Sequence, residues 1–223
     1  MPTAVSIAVS AESRVSGLLE APKDARACYV LAHGAGAGMK HPFVAAVAAG
    51  LAKRGIATLR YQFLYMERGG KRPDPPKIAH AAVRAAVAEA ARRLPDLPLI
   101  AGGKSFGGRM TSQAQALEAL PGVRGLVFFG FPLHPAGKPS DERAVHLAGV
   151  KVPMLFLQGT RDELADMSLL VPVVERLAPR ATLLKLEHAD HAFHVPAKSG
   201  RKDAEVMAQM LDAAASWLLK PGT

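Results

Sequence analysis

The stretch "LIAGGKSFGGRM" sets one serine among four glycines, directly behind an apolar run. A serine hydroxyl is a weak nucleophile until a base takes its proton and fixed donors receive the charge that its attack creates. Gly103-Lys104-Ser105-Phe106-Gly107 has the G-x-S-x-G spacing of a nucleophile elbow. In that device a strand runs into a tight turn, which holds the serine in unfavourable backbone angles, and a helix follows. The small neighbours allow strand and helix to approach closely. The helix start offers N–H groups and a positive dipole end to a developing oxyanion. A phosphate-binding loop, G-x-x-x-x-G-K-[ST], would need glycine six positions before Lys104, where Pro98 stands.

An elbow serine needs a base, an acid to orient the base, and an oxyanion hole. In such sheets the three residues follow in chain order serine, acid, histidine, each beyond a strand end. The strand-like "PMLFLQGTRDE" ends in a glycine turn and then Asp162, with Glu163 and Asp166 as neighbouring alternatives. A carboxylate there can accept Nδ1–H of a histidine and stabilise the imidazolium. The stretch "LLKLEHADHAFHVP" carries His188, His191 and His194 between a strand and the last helix. His191 sits mid-loop with room to reach back to the sheet, and His188 is its rival. Asp190 reads as a loop residue. For the oxyanion hole, "VLAHGAGAGMKHP" follows the first buried strand. Its small residues let backbone N–H groups approach a substrate, so Ala35 and Gly34 are the expected donors beside Phe106 N–H. A dinucleotide fingerprint in this loop would need glycine where Met39 stands and an acid after the next strand, which ends in Arg60-Tyr61-Gln62. The histidines show no H-x-H or H-E-x-x-H spacing, so no metal site and no cofactor are expected.

These residues need a frame. Apolar periodicity predicts strands over residues 5–9, 15–20, 27–32, 56–61, 99–102, 124–130, 154–158 and 182–186. It predicts helices over 42–54, 77–94, 105–120, 168–177 and 203–219. Residues 62–76 read as irregular, and 131–152 as mostly loop with a short helix. Strands alternating with helices imply a three-layer α/β/α sandwich on a mostly parallel sheet, opened by an antiparallel hairpin at its edge. Residues 131–152 are too short for a large cap domain. No repeat or linker interrupts the chain, so one domain over 1–223 is expected.

Composition sets the outer limits. Of 223 residues 49% are hydrophobic and 21% charged, which suits a globular protein. No apolar run is long enough to span a membrane. The N-terminal stretch lacks a basic and then apolar leader, and the one cysteine, Cys28, cannot form an internal disulfide; a cytoplasmic location is expected. The net charge of +9 raises nucleic-acid binding, but the basic residues are scattered and aromatics are 5%. Surface solvation and mild steering of anionic substrates fit better.

On "HGAGAGMKHPF", "LRYQFLYMERGGKRPDPP", "GGKSFGGRM", "FFGFPLHPAGKP", "LFLQGTRDE" and "ADHAFHVP", nearly the whole chain resembles the α/β-hydrolase superfamily, in its dienelactone-hydrolase-like branch. It is similar to a group of small hydrolases related to a eukaryotic testis-expressed protein and to a subunit of a histone-acetyltransferase (NSL) complex. Dienelactone hydrolases proper use cysteine where this chain has Ser105. The resemblance implies a serine hydrolase for carboxylic esters or thioesters, with a small-molecule substrate and no cofactor. The complex-subunit relative implies an alternative, a scaffold for protein interaction. His33, Arg60, Tyr61, Phe131 and His134 are expected around the substrate pocket, with Tyr65 and Arg68 within reach. An arginine there would hold a substrate carboxylate or pin its own loop. A Ser105–Lys104 dyad is not expected, since neighbours on a tight elbow point apart.

Overall fold

Alternation decides where the sheet buries its side chains. In the strand Ala27–Ala32 every residue is buried. Cys28, Val30 and Ala32 enter one apolar cluster, and Ala27, Tyr29 and Leu31 enter a second. Successive side chains of a strand point to opposite faces, so an unbroken apolar run marks a strand covered on both. The structure is a computed structural model and describes residues 2–220. The expected domain over 1–223 therefore includes residues 1 and 221–223, which lie outside the described residues.

Eight strands form one sheet: β1 (Thr3–Ala8), β2 (Arg14–Glu20), β3 (Ala27–Ala32), β4 (Ile56–Tyr61), β5 (Leu99–Lys104), β6 (Val123–Phe129), β7 (Met154–Gly159) and β8 (Ala181–Leu186). Their order is β1-β2-β4-β3-β5-β6-β7-β8. The β1–β2 hairpin is antiparallel and joins β4 antiparallel, and all other pairs are parallel. The helices are α1 (Pro42–Ala52), α2 (Leu64–Glu67), α3 (Pro76–Arg93), α4 (Phe106–Leu117), α5 (Met167–Arg176) and α6 (Asp203–Leu218). The stripes of α3, α4 and α5 fill the cluster on one face of the sheet, and those of α1 and α6 fill the other. This is the three-layer α/β/α sandwich with an antiparallel edge. Between β6 and β7 the chain forms only a 3-10 segment, Glu142–Gly149, so no lid rises over the sheet.

Three local differences from the sequence expectation have physical causes. The strand β5 runs on through Gly103 and Lys104, paired with Phe128 and Phe129 of β6. Helix α4 starts at Phe106, because Ser105 has φ 50° and ψ −118°, and it stops at Leu117, where Glu118 turns extended. The irregular stretch 62–76 contains the short α2, whose Tyr65 N–H is held by the Asp74 carboxylate at 2.9 Å. No helix among the described residues is long and apolar enough to cross a membrane.

Candidate active site

The elbow is built by close approach. A Cβ on Gly103 would stand 2.2 Å from the Ala32 carbonyl oxygen, and one on Gly107 would stand 2.5 Å from that of His33. Only hydrogen fits at either position, which lets α4 start tight against the end of β3. The turn leaves Ser105 in a sparsely populated backbone region, a strain of about 1–3 kcal/mol that the surrounding packing must hold. Its hydroxyl is thereby presented beyond the C-terminal edge of the sheet.

Two loops bring the partners. His191, after β8, places Nε2 2.9 Å from Ser105 Oγ and Nδ1 2.7 Å from Asp162 Oδ2. Asp162, after β7, has a fully buried side chain, whereas His191 is 27% exposed. The carboxylate accepts two further bonds, from Gln158 Nε2 at 2.5 Å and from Leu164 N–H at 2.8 Å. Three donors surround one buried carboxylate, which is how a buried charge is retained. Gln158 is anchored in turn, its Oε1 accepting Phe131 N–H at 2.8 Å. The two loops interlock, since Thr160 N–H donates to Leu186 O and Arg161 N–H to Ala189 O.

The other carboxylates and histidines have other tasks. Asp166 caps α5 through Ser168 N–H, and Glu163 is exposed. His188 is exposed and takes φ 66° in the loop turn, while His194 pairs with Asp203 at 2.8 Å. Asp190 accepts the N–H groups of Ala192 and His194 and so braces the loop that carries His191.

The small-residue loop after β3 faces Ser105. Among the described residues, the N–H groups of Ala35 and Phe106 donate to no acceptor within the chain. The loop is pinned from below. His33 is buried, its Nδ1 lies 2.7 Å from Gly34 O, and its Nε2 accepts Phe63 N–H at 3.2 Å. That pattern fixes the Nδ1–H tautomer, and burial holds the ring's pKa down at about 4. Gly36 N–H donates to Tyr65 Oη and Met39 N–H to Gln62 Oε1, which fixes the rest of the loop.

Beside Ser105 lies a cavity of about 380 Å³, lined by Gly34, Ala35, Ala37, His41, Phe43, Val44, Lys104, Leu164, His191 and Ala192. None of the five residues expected around the pocket forms its wall. His33 sits under the loop. Arg60 is buried and runs to Met39 O and Glu20, the loop-pinning alternative. Tyr61 and Phe131 are buried in the core beneath α3, α4 and α5. His134 accepts Asp166 N–H at 2.9 Å and supports the start of α5. The wall comes instead from α1 and the His191 loop. Gln158, Leu164 and the α1 side chains escaped the sequence reading; the one available signal was a polar Gln158 inside the otherwise apolar "MLFLQ".

Comparison with known proteins agrees with this architecture. Residues 25–219 match the family model described as alpha/beta hydrolase domain. The fold is similar to a dienelactone hydrolase from Anabaena variabilis, at 23% identity over 97% of this chain and 96% of that one, with a TM-score of 0.77. A lidless a/b serine hydrolase from Xanthomonas campestris shares 20% identity over 99% and 96%, with a TM-score of 0.75. An esterase domain from a Rhodothermus marinus protein shares 15% over 97% of each chain, with a TM-score of 0.74.

Proposed function

We propose that this chain, which belongs to the alpha/beta hydrolase family, is a serine hydrolase that cleaves carboxylic esters or thioesters through an acyl-enzyme on Ser105. One observation carries the reading: a single imidazole bridges a strained serine hydroxyl, at 2.9 Å, and a buried carboxylate, at 2.7 Å. His191 Nε2 takes the Oγ proton as the oxygen attacks the substrate carbonyl. Asp162 holds the ring with Nδ1–H towards it and balances the imidazolium that forms. The unpartnered N–H groups of Phe106 and Ala35 receive the oxyanion, and the N-terminal end of α4 adds its dipole. The tetrahedral intermediate collapses, the alkoxide or thiolate leaves with the proton from His191, and an acyl ester remains on Oγ. Water then attacks that ester with His191 as base, releasing the acid and restoring the hydroxyl.

The cavity supports a substrate of small to medium size. Its walls of alanine, valine, leucine and phenylalanine suit an apolar acyl or alcohol group. With no lid between β6 and β7, the opening does not depend on a closing domain. The test is turnover of p-nitrophenyl esters from acetate to octanoate, and of the matching thioesters, by wild type and by Ser105→Ala. Turnover by the wild type with a loss of at least about 10³-fold in the variant is expected. No turnover by either protein, together with recovery of one stoichiometric partner, would favour the interaction scaffold.

A further inference from the structure

Lys104 is the last residue of β5 and immediately precedes Ser105. Strand alternation sends its side chain to the face of Ile100, the side covered by α1 and α6. There its ammonium donates a hydrogen bond to the backbone carbonyl of His191. Nζ lies 4.5 Å from the ring centroid of Phe193 and 5.6 Å from that of Phe43, and these two rings stack on each other. A Cβ on Gly130 would stand 2.8 Å from Nζ and 3.5 Å from the His191 ring, so the absent side chain there leaves room for both groups. The charged groups that act on the ammonium are Asp162 and Asp190, one behind His191 and one within its loop.

An ammonium is a costly way to fill such a slot, because desolvation disfavours its charged form. The side chain is half-buried at the cavity wall, and desolvation there pulls the lysine's pKa down to about 8. Methionine has a similar length and would fill the space between the rings without that cost. What methionine cannot do is donate to the His191 carbonyl. The loop that carries His191 otherwise joins the β7 side of the sheet, through Thr160 and Arg161. Lys104 is its hydrogen-bonded tie to β5, the strand that carries the nucleophile.

We infer that Lys104 is a positioning residue for the proposed reaction: by holding the His191 carbonyl it fixes the base relative to Ser105, the next residue, in the turn that ends the strand. The inference rests on the assignment of Ser105 and His191 as nucleophile and base. Misplacement of a reacting group by about 1 Å can cost about 10²-fold in rate.

The experiment measures kcat and KM on a p-nitrophenyl ester for wild type, Ser105→Ala, Lys104→Met and Lys104→Cys. The last is assayed before and after treatment with bromoethylamine, which rebuilds an ammonium of nearly lysine length. Cys28, the one native thiol, is buried with its pKa pushed up to about 12, so it stays unmodified in the folded protein. The expected result is a fall in kcat of about 10–100-fold in Lys104→Met and in untreated Lys104→Cys, with KM within about twofold of wild type. Aminoethylation should restore at least half of the lost kcat. Unchanged kcat in Lys104→Met, a loss carried by KM, or no recovery on aminoethylation would each overturn the inference. If Lys104→Met does not fold, the treated and untreated cysteine variant decides alone. Turnover that Ser105→Ala retains in full would sink the underlying assignment and the inference with it. Turnover that depends on Ser105 but not on Lys104 would sink only the inference.

Discussion

Lowering the pH should loosen the small-residue loop after β3 through one residue, His33. Its ring is completely buried, with Nε2 accepting a backbone N–H and Nδ1 donating to Gly34 O. A second proton on Nε2 would face the Phe63 N–H donor to donor. Burial holds His33 at about 4, whereas an unfolded histidine titrates near about 6.5. Between those values the unfolded chain binds a proton that the folded chain refuses. The contribution to stability is therefore complete above about pH 6.5 and falls as pH drops to about 4. At about 1.4 kcal/mol per pH unit, the whole window amounts to about 3 kcal/mol, with the slope near about 1 kcal/mol per pH unit around pH 5. That is a large share of the roughly 5–15 kcal/mol by which domains are stable. The perturbation is His33→Gln, whose amide oxygen can still accept the Phe63 N–H but does not titrate. Urea unfolding of both proteins from pH 7.5 to 4.5 gives the two stability curves. His146 is also held at about 4 and adds its own acid sensitivity, but it is present in both proteins and cancels in the difference. The wild-type curve should be steeper than the variant's by about 1 kcal/mol per pH unit near pH 5. Parallel curves across this range would refute the reasoning.

Other perturbations address the remaining supports. Asp162→Asn offers His191 an amide in place of the carboxylate, which favours the wrong ring tautomer, and it sets a buried N–H against the Gln158 donor; kcat should fall by about 10³–10⁴-fold and the thermal midpoint should drop as well, as steady-state kinetics and melting would show. Gln158→Leu leaves the buried Phe131 N–H unpaired and removes one donor from Asp162, so urea unfolding should show a loss of about 2–5 kcal/mol. Gly107→Ala forces a methyl group against the His33 carbonyl 2.5 Å away; the cost should be about 3 kcal/mol, a fall of about 6–12 °C in calorimetric melting, with normal melting contradicting the close approach.

The parts of the site that were legible in the sequence are those fixed by local chain geometry. The elbow at Ser105 needs glycine on both sides within a few residues, so its spacing is visible in "GGKSFGG". Asp162 and His191 each follow an apolar run and a turn, which places them beyond strand ends, where the structure brings them into hydrogen-bond contact. The strand order was partly legible too, since β3 is apolar throughout and must be covered on both faces, whereas β1 alternates. The pocket wall was not legible, because it depends on which face of the sheet carries each side chain. Tyr61 and Phe131 have the right character to line a pocket but point into the core under α3, α4 and α5. Phe43 and Val44 fall in the first turn of the helix expected over 42–54, yet they border the cavity because α1 begins beside Ser105. Lys104 acts at long range, reaching the His191 carbonyl through a contact that no sequence spacing encodes, whereas Gln158 lies four residues before Asp162 and shows in the sequence as a polar side chain ending an apolar strand.

The central claim is that Ser105 is an activated nucleophile. Its most direct test is intact-protein mass spectrometry after exposure to a fluorophosphonate, with the labelled peptide identified. The account predicts a single adduct on Ser105, none on Ser105→Ala, and labelling of His191→Ala slowed by at least about 10²-fold. No adduct on the wild type, or an equal adduct on Ser105→Ala, would contradict it.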